Sequence, residues 1–214
     1  MFFSNLKFSL LTQEILSSCV DFSCSQESDI EHFFKNESLD YEDQLLGKSY
    51  CFTVEEEGKL HITSAFTLSN TSIRVFNLPS NKRNRLNRKI PNPKRKNQYP
   101  AVLIGQLAVF DEYHKNDLGA FLLNFIKSWM LDKSQTGCRF IVVDAINKPK
   151  VLDFYEHNGF TFMFSSADEE MQYRRGERNN HGGTTRISRT LTNKKQAPEY
   201  KDTRLMYFDL LSIK

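Results

Sequence analysis

The sequence predicts an α/β domain, and three observations predict it. Between Tyr99 and Gly159 the elements read strand, polar turn, helix, strand, helix: an apolar run over Ala101–Phe110, a turn over Asp111–Ala120, an amphipathic helix with Phe121, Leu122, Phe125, Ile126 and Trp129, a second apolar run over Arg139–Ala145, and a short helix carrying Phe154–Phe160. The N-terminal part reads helix, helix, strand, strand. Near the other end, Thr203–Leu210 alternates apolar and polar residues, as a closing strand does.

Taken in order, Ile15, Leu16 and Val20 lie at helical spacing and predict a first helix over 12–20. A polar stretch over Asp21–Ile30 supplies capping residues. Ile30, Phe33, Phe34, Leu39 and Leu45 then predict a second helix or a broken pair. Ser49–Val54 alternates, Glu55–Gly58 is a turn, and His61–Leu68 is its hairpin partner. Asn81–Gln98 is rich in Lys, Arg, Asn and Pro and nearly free of apolar side chains, so it reads as an inserted loop that cannot bury enough surface to offset its ordering entropy. Residues 168–202 repeat that composition and read as a second insertion. Thr161–Ser165 is expected to pair with the closing strand.

With 214 residues, 39% hydrophobic content and 18 Phe, the chain suffices for one well-cored domain spanning 1–214 with insertions at about 80–98 and 168–202. Cys19, Cys24, Cys51 and Cys138 show neither a C-x-x-C pair nor zinc-type spacing, so reduced thiols and no metal are expected. No run reaches the roughly 18 apolar residues of a membrane span. The apolar start at Met1–Leu11 is cut short by Thr12–Glu14 and lacks a basic leader, so a cytoplasmic protein is expected. The net charge of +3 hides an asymmetry. Residues 81–98 and 173–201 together hold 16 of the 29 Lys/Arg and two of the 26 acids, which leaves the rest of the chain acidic.

The ordered block of the central stretch resembles the acyl-CoA-binding core of the GNAT N-acetyltransferases. His114-Lys-Asn-Asp-Leu-Gly119 is similar to that family's pyrophosphate loop, and Asn147 ahead of Phe154-Tyr-Glu-His-Asn-Gly-Phe160 is similar to its following helix. Two residues depart from the pattern: His114 stands for the usual Gln or Arg, and Asp117 for the first Gly. Phe22-x-Cys24 before a helix with Phe33–Phe34, then a strand ending at Ser69–Asn70, is similar to the start of the GNAT-type toxins, which acetylate the amino group of aminoacyl-tRNA. The resemblance implies a single α/β (α+β) GNAT-like domain: a mixed, mostly antiparallel twisted sheet, a parallel central strand pair splayed at the acyl-CoA site, and flanking helices.

Acetyl transfer from CoA requires a cradle for a diphosphate, an open strand edge for the pantetheine amides and a proton for the departing thiolate. The resemblance assigns the edge to Leu107, Ala108 and Val109, which are equally good core residues. The diphosphate falls to His114, Lys115, Asn116, Asp117, Leu118, Gly119 and Ala120, where a helix N-terminus offers unsatisfied N–H groups and the positive end of its dipole. Asp117 is the awkward member, since its carboxylate repels phosphate unless it caps the helix with its side chain turned away. Asn147 is either a pantetheine contact or a helix cap ahead of Lys148–Pro149. Tyr155 takes the role of general acid toward the thiolate, against the plainer reading of a packed Tyr with its hydroxyl at the surface. No general base is readable, because Asp111, Glu112 and His114 are explained as loop solvation.

The acceptor is an open matter at this level. Lys and Arg residues over 82–97, together with Arg174, Arg175, Arg178, Arg186 and Arg189 within 174–195, suit the backbone of an aminoacyl-tRNA, an acidic or antitoxin-like protein partner, or solvent alone. A small-molecule or protein amine as acceptor, a non-catalytic CoA- or RNA-binding module, and a homodimer stay open beside it.

Overall fold

The computed structural model describes residues 2–88, 90–114, 117–132, 137–176 and 202–213. Its strands are β1 (Lys7–Leu10), β2 (Lys48–Glu56), β3 (Lys59–Arg74), β4 (Gln98–Val109), β5 (Phe140–Ile146), β6 (Thr161–Phe162) and β7 (Thr203–Asp209). Its helices are α1 (Gln13–Ser18), α2 (Ser28–His32), α3 (Ser38–Asp43), α4 (Ser80–Asn87), α5 (Leu118–Asp132), α6 (Pro149–His157) and α7 (Ala167–Arg174). One seven-stranded sheet runs in the order β1-β2-β3-β4-β5-β7-β6. The pairs β1/β2, β2/β3 and β6/β7 are antiparallel, and β4/β5 is parallel. This is the mixed α/β sheet that the sequence predicts. The chain divides into two compact units, one of residues 1–71, 101–143 and 209–214, the other of 72–100 and 144–208.

In the first unit the period of two along β2 and β3 sends successive side chains to opposite faces of the sheet. On one face Phe8, Tyr50, Phe52 and Phe66 meet Phe121, Phe125 and Trp129 of α5, with ring centroids such as Phe8–Phe125 at 4.6 Å and Tyr50–Trp129 at 4.9 Å. On the other, Leu11, Phe22, Phe33, Phe34, Cys51, Ile62, Ala65, Ala108 and Phe110 form a buried cluster beneath the N-terminal helices. The β2–β3 hairpin turns at Glu57–Gly58, both at positive φ (51° and 73°), the backbone of a two-residue primed turn. The expected broken helix pair is present, α2 passing through a π turn at Phe33–Glu37 into α3. Strand β1 is absent from the sequence reading: its four residues sit at the sheet edge, too short for alternation to register.

The expectation of an inserted loop over 81–98 is corrected. Residues 80–87 form α4 and Asn92–Lys94 a 3₁₀ turn, held by a few well-placed anchors. Leu86 is 2% exposed, and the Tyr99 hydroxyl donates to Asn87 Oδ1 at 2.9 Å. A segment average of composition hides such anchors, because one Leu and one Tyr–Asn bond suffice to hold a helix whose other residues face water. The second expected insertion is likewise helical at its start. Ser166 caps α7, and Tyr173 is buried against Phe164 with ring centroids 4.9 Å apart. Residues 177–201 lie outside the described residues. Strand β6 is shorter than expected, although its pairing with β7 is as expected and Met163 N–H extends it to the Leu205 carbonyl.

The second unit is built around Glu170, 3% exposed on α7. Its carboxylate accepts from Arg174 (2.7 Å), Arg204 Nε (3.1 Å) and the Leu205 N–H (2.8 Å). Arg174 also forks onto Asp144. This corrects the assignment of Arg174 to a nucleic-acid surface, since its charge is spent inside the fold. Burial pushes the Asp144 carboxyl up, but hydrogen bonds from Arg174 and Thr203 outweigh it and hold it below the usual carboxylate range. A lowered folded-state pKa contributes stability above the unfolded value, which is lost as pH falls through it. Two outcomes are expected. Glu170→Gln takes the carboxylate away from Arg204, leaves Arg174 to Asp144 alone, and lowers unfolding free energy by about 3 kcal/mol in denaturant titration. Asp144→Asn flattens the loss of stability that wild type shows on acidification below about pH 4.

Candidate functional site

The parallel ladder between β4 and β5 has four rungs, from Ala101↔Phe140 to Ile104↔Val143. Strand β4 continues to Val109, five residues past the last rung. Phe110 N–H donates to the Thr63 carbonyl of β3 (3.0 Å), so by alternation Val109 and Leu107 turn their backbone groups away from β3, toward the edge that β5 has left. Ala108 points its backbone the other way and its methyl into the core, 3% exposed. Of the three strand residues expected at the site, Leu107 and Val109 therefore present polar backbone to the open edge, and Ala108 is a packing residue. Gly105 lies where the strands part, and a Cβ there would meet nothing within 4 Å. It escaped notice in the sequence, although an isolated Gly inside an apolar strand is a signal of open or closely approached backbone.

Beyond β4 the chain is pinned by Phe110, 2% exposed with its ring 4.2 Å from that of Phe22. A 3₁₀ turn follows over Asp111–Tyr113. The Asp111 carboxylate accepts from the Ser25 N–H and the Ser23 hydroxyl, both at 3.0 Å, which hold its carboxyl below the usual range. Asp111 is thus a brace for the turn rather than a solvated loop residue. Tyr113 is buried, and burial with the nearby Glu56 carboxylate pushes its phenol up to about 12. His114 is exposed, with Nε2 at 2.6 Å from the Val109 carbonyl. A carbonyl only accepts, so Nε2 carries the proton and His114 is tied to the open edge of β4. Lys115 and Asn116 lie outside the described residues.

Asp117 has φ +50°, and its carbonyl accepts from Phe121 N–H at 3.1 Å. It therefore occupies the cap position of α5 in a left-handed conformation, not the extended one from which a cap side chain reaches the first-turn N–H groups. The resemblance places a Gly here, and the positive φ gives the physical reason: Gly adopts it freely, and Asp is among the few other residues that tolerate it. Leu118 fastens the helix to the core, 1% exposed beside Val54 and Tyr113. Phe121 makes the first intrahelical bond, so the N–H groups of Leu118, Gly119 and Ala120 have no acceptor within α5. A 15-residue helix aims its positive end through them.

The other two expected site residues belong to the second unit. Asn147 is exposed after β5, and its N–H donates to the Asp202 carbonyl at 2.7 Å. Lys148 holds the cap position of α6 and Pro149 the first helical position, so the capping alternative for Asn147 is set aside. Asn147 borders a cavity of about 240 Å³ lined also by Met171, Arg174 and Arg204. Tyr155 is the one buried residue of α6, its ring against Phe154 (5.3 Å) and Phe160 (5.4 Å). Burial raises its phenol pKa, which keeps it protonated at neutral pH. Its hydroxyl makes no hydrogen bond among the described residues. Gly159, at φ +80°, closes α6 so that Phe160 N–H returns to the Tyr155 carbonyl at 3.0 Å.

A mixed sheet with one short parallel pair, and a helix N-terminus following the longer strand of that pair, is a fold found in other proteins of known structure. Solved structures match it along nearly the whole chain. A Tyr-to-Phe mutant of KacT is 17% identical, with a TM-score of 0.60 over 98% of this chain and 97% of that one. AtaT in complex with acetyl-methionyl-tRNAfMet is 18% identical, at 0.61 over 97% and 96%. A Tyr-to-Phe mutant of the AtaT toxin, bound to the C-terminus of the antitoxin AtaR and acetyl-CoA, is 15% identical, at 0.54 over 98% and 96%. No protein-family model and no curated protein sequence matches the chain. Among the described residues no helix is long and apolar enough to cross a membrane, and no three His, Cys, Asp or Glu side chains group to hold a metal.

The left-handed cap has a measurable signature. Asp117→Val, a β-branched residue at positive φ, is expected to lower unfolding free energy by about 1–2 kcal/mol, whereas Asp117→Gly is not; thermal and denaturant melts of the two variants read the difference.

Proposed function

We propose that this chain is an acetyl-CoA-dependent N-acetyltransferase of the cytoplasm, acting on a primary amine, with the amino group of aminoacyl-tRNA as acceptor and an antitoxin-like protein as partner. The observation that carries the reading is the five-residue extension of β4 beyond its ladder with β5, ahead of the N-terminus of α5, whose first N–H groups have no acceptor within that helix. The donor brings an activated thioester. The residues present fit it in kind: Leu107 and Val109 offer an extended backbone to pantetheine amides, and the N–H groups of Leu118, Gly119 and Ala120 suit a diphosphate. Asn147 offers a side-chain amide to the pantetheine arm. Two features lower the affinity of this arrangement. His114 already occupies the Val109 carbonyl, and Asp117 places a negative charge at the phosphate end.

Tyr155 is the general acid in this reading. The amine nitrogen forms the new bond to the acetyl carbon and releases one proton to water, the carbon–sulfur bond breaks, and the Tyr155 proton goes to the departing sulfur, the phenolate then regaining a proton from solvent. A phenol kept neutral by burial is in the right state to give it. Positioning supplies most of the remaining rate, since amine and thioester held in contact need no separate encounter. The aminoacyl-tRNA acceptor is supported by the acid-free run of cations on and after α4. The AtaT complex, with an acetylated aminoacyl-tRNA bound on the same fold, supports it too.

Tyr155→Phe is expected to bind acetyl-CoA with unchanged Kd by calorimetry and to lose turnover by about 10²–10⁴-fold; turnover at the wild-type rate ends the assignment. Asp117→Asn keeps the left-handed backbone while removing the charge, so its Kd for CoA is expected to fall about 2- to 5-fold at low salt. With labelled acetyl-CoA, charged tRNA is expected to take up label in a salt-sensitive way. Label on polyamines or peptides instead defeats the acceptor assignment while leaving the acetyltransferase standing.

A further inference from the structure

The run from Ser72 to Pro100 contains nine Lys/Arg and no acid, and within it stands one large apolar side chain turned outward. Phe76 is the middle residue of a 3₁₀ turn over Val75–Asn77. Its neighbours Val75 and Asn77 are 2% and 1% exposed, while Phe76 is 40% exposed. The turn is therefore nailed down on both sides, and the backbone holds the ring at the surface. That ring makes no aromatic or cation contact among the described residues.

The position of the turn matters as much as its direction. The N–H groups of Val75 and Phe76 both donate to the Asn97 carbonyl, at 2.8 and 3.3 Å. This ties Phe76 to the end of a fully exposed stretch containing Lys94, Arg95 and Lys96. The stretch is ordered from behind. The Lys96 N–H donates to the Tyr99 hydroxyl at 3.1 Å, the same hydroxyl that donates to Asn87. Arg95 Nε donates to the Ile90 carbonyl at 3.3 Å. Lys94 and Lys96 enter no ion pair among the described residues.

An exposed aromatic face beside uncompensated cations, on a backbone fixed in advance, meets the two requirements of a single nucleic-acid strand: a platform for a base and charges for the phosphates on either side of it. A duplex keeps its base faces stacked and can use only the charges. An acidic peptide has no flat face to lay on the ring. We infer that Phe76 is a stacking platform for an unpaired base of an RNA strand, with Lys94, Arg95 and Lys96 holding the flanking phosphates. The identity of the strand as RNA rests on the acceptor named above; the stacking geometry does not involve acetyl-CoA.

The full chain is titrated with a fluorescent, unstructured RNA oligonucleotide, with the same strand annealed to its complement, and with polyglutamate. Phe76→Ala is expected to weaken single-strand binding by about 5- to 150-fold, to leave the dependence on salt unchanged, and to leave duplex binding as it was. Phe76→Trp retains affinity. Lys96→Gln weakens both forms and reduces the slope of log K against log salt by about 0.7 for the single strand. Because the ring is at the surface, a melting curve for Phe76→Ala that matches wild type accompanies the expected result. The platform is overturned if Phe76→Ala binds the single strand as wild type does, if the duplex binds as tightly as the strand, or if polyglutamate competes at equal charge. A chain that binds the strand through Phe76 but transfers no acetyl group keeps this inference and loses the proposed activity. One that acetylates charged tRNA with an unchanged KM in Phe76→Ala does the reverse.

Discussion

The arrangement of the site depends on a hydrogen-bond ladder that stops early. Parallel strands share evenly spaced bonds for as long as they remain neighbours, and β4 and β5 part after Ile104 and Val143. Beyond that point every second residue of β4 has lost its partner strand and requires other partners for its backbone groups. The Val109 carbonyl finds one in His114. An extended ligand with amides of its own can satisfy the rest, and the same parting delivers the chain, four residues after a 3₁₀ turn, to the N-terminus of α5.

Holding an unpaired edge open requires rigid surroundings. Phe8, Tyr50, Phe52 and Phe66 on one face and the Phe22–Phe110 pair on the other clamp the strands next to it. Phe110 and Leu118, both almost wholly buried, fix the end of the strand and the start of the helix. In the second unit the hub at Glu170 plays the corresponding part, with charge pairing in place of aromatic packing. Tyr155 is held by neither arrangement but by its own helix and two flanking phenylalanines.

The central stretch was legible because its signals are long and periodic. Twelve residues of β4 and fifteen of α5 leave little room for another reading. What escaped is local. Strand β1 is too short for alternation, and Leu86 is a single buried residue in a run of charges. Arg174 looks the same in sequence whether it meets solvent or Glu170, because its partners lie four residues along the helix and thirty residues back. Among the residues proposed for the site, Tyr155 and the start of α5 are singled out by their order in the chain. The His114–Val109 bond and the sign of φ at Asp117 follow only from coordinates, since neither leaves a periodicity to read.

In the second unit the end of α7 and the start of β7 are stitched together: Arg174 donates to the Thr203 hydroxyl at 3.4 Å, and both Arg174 and Arg204 grip Glu170. Helix α7 and strand β7 thus share one buried carboxylate, and whatever loosens the grip of one on Glu170 loosens the other with it.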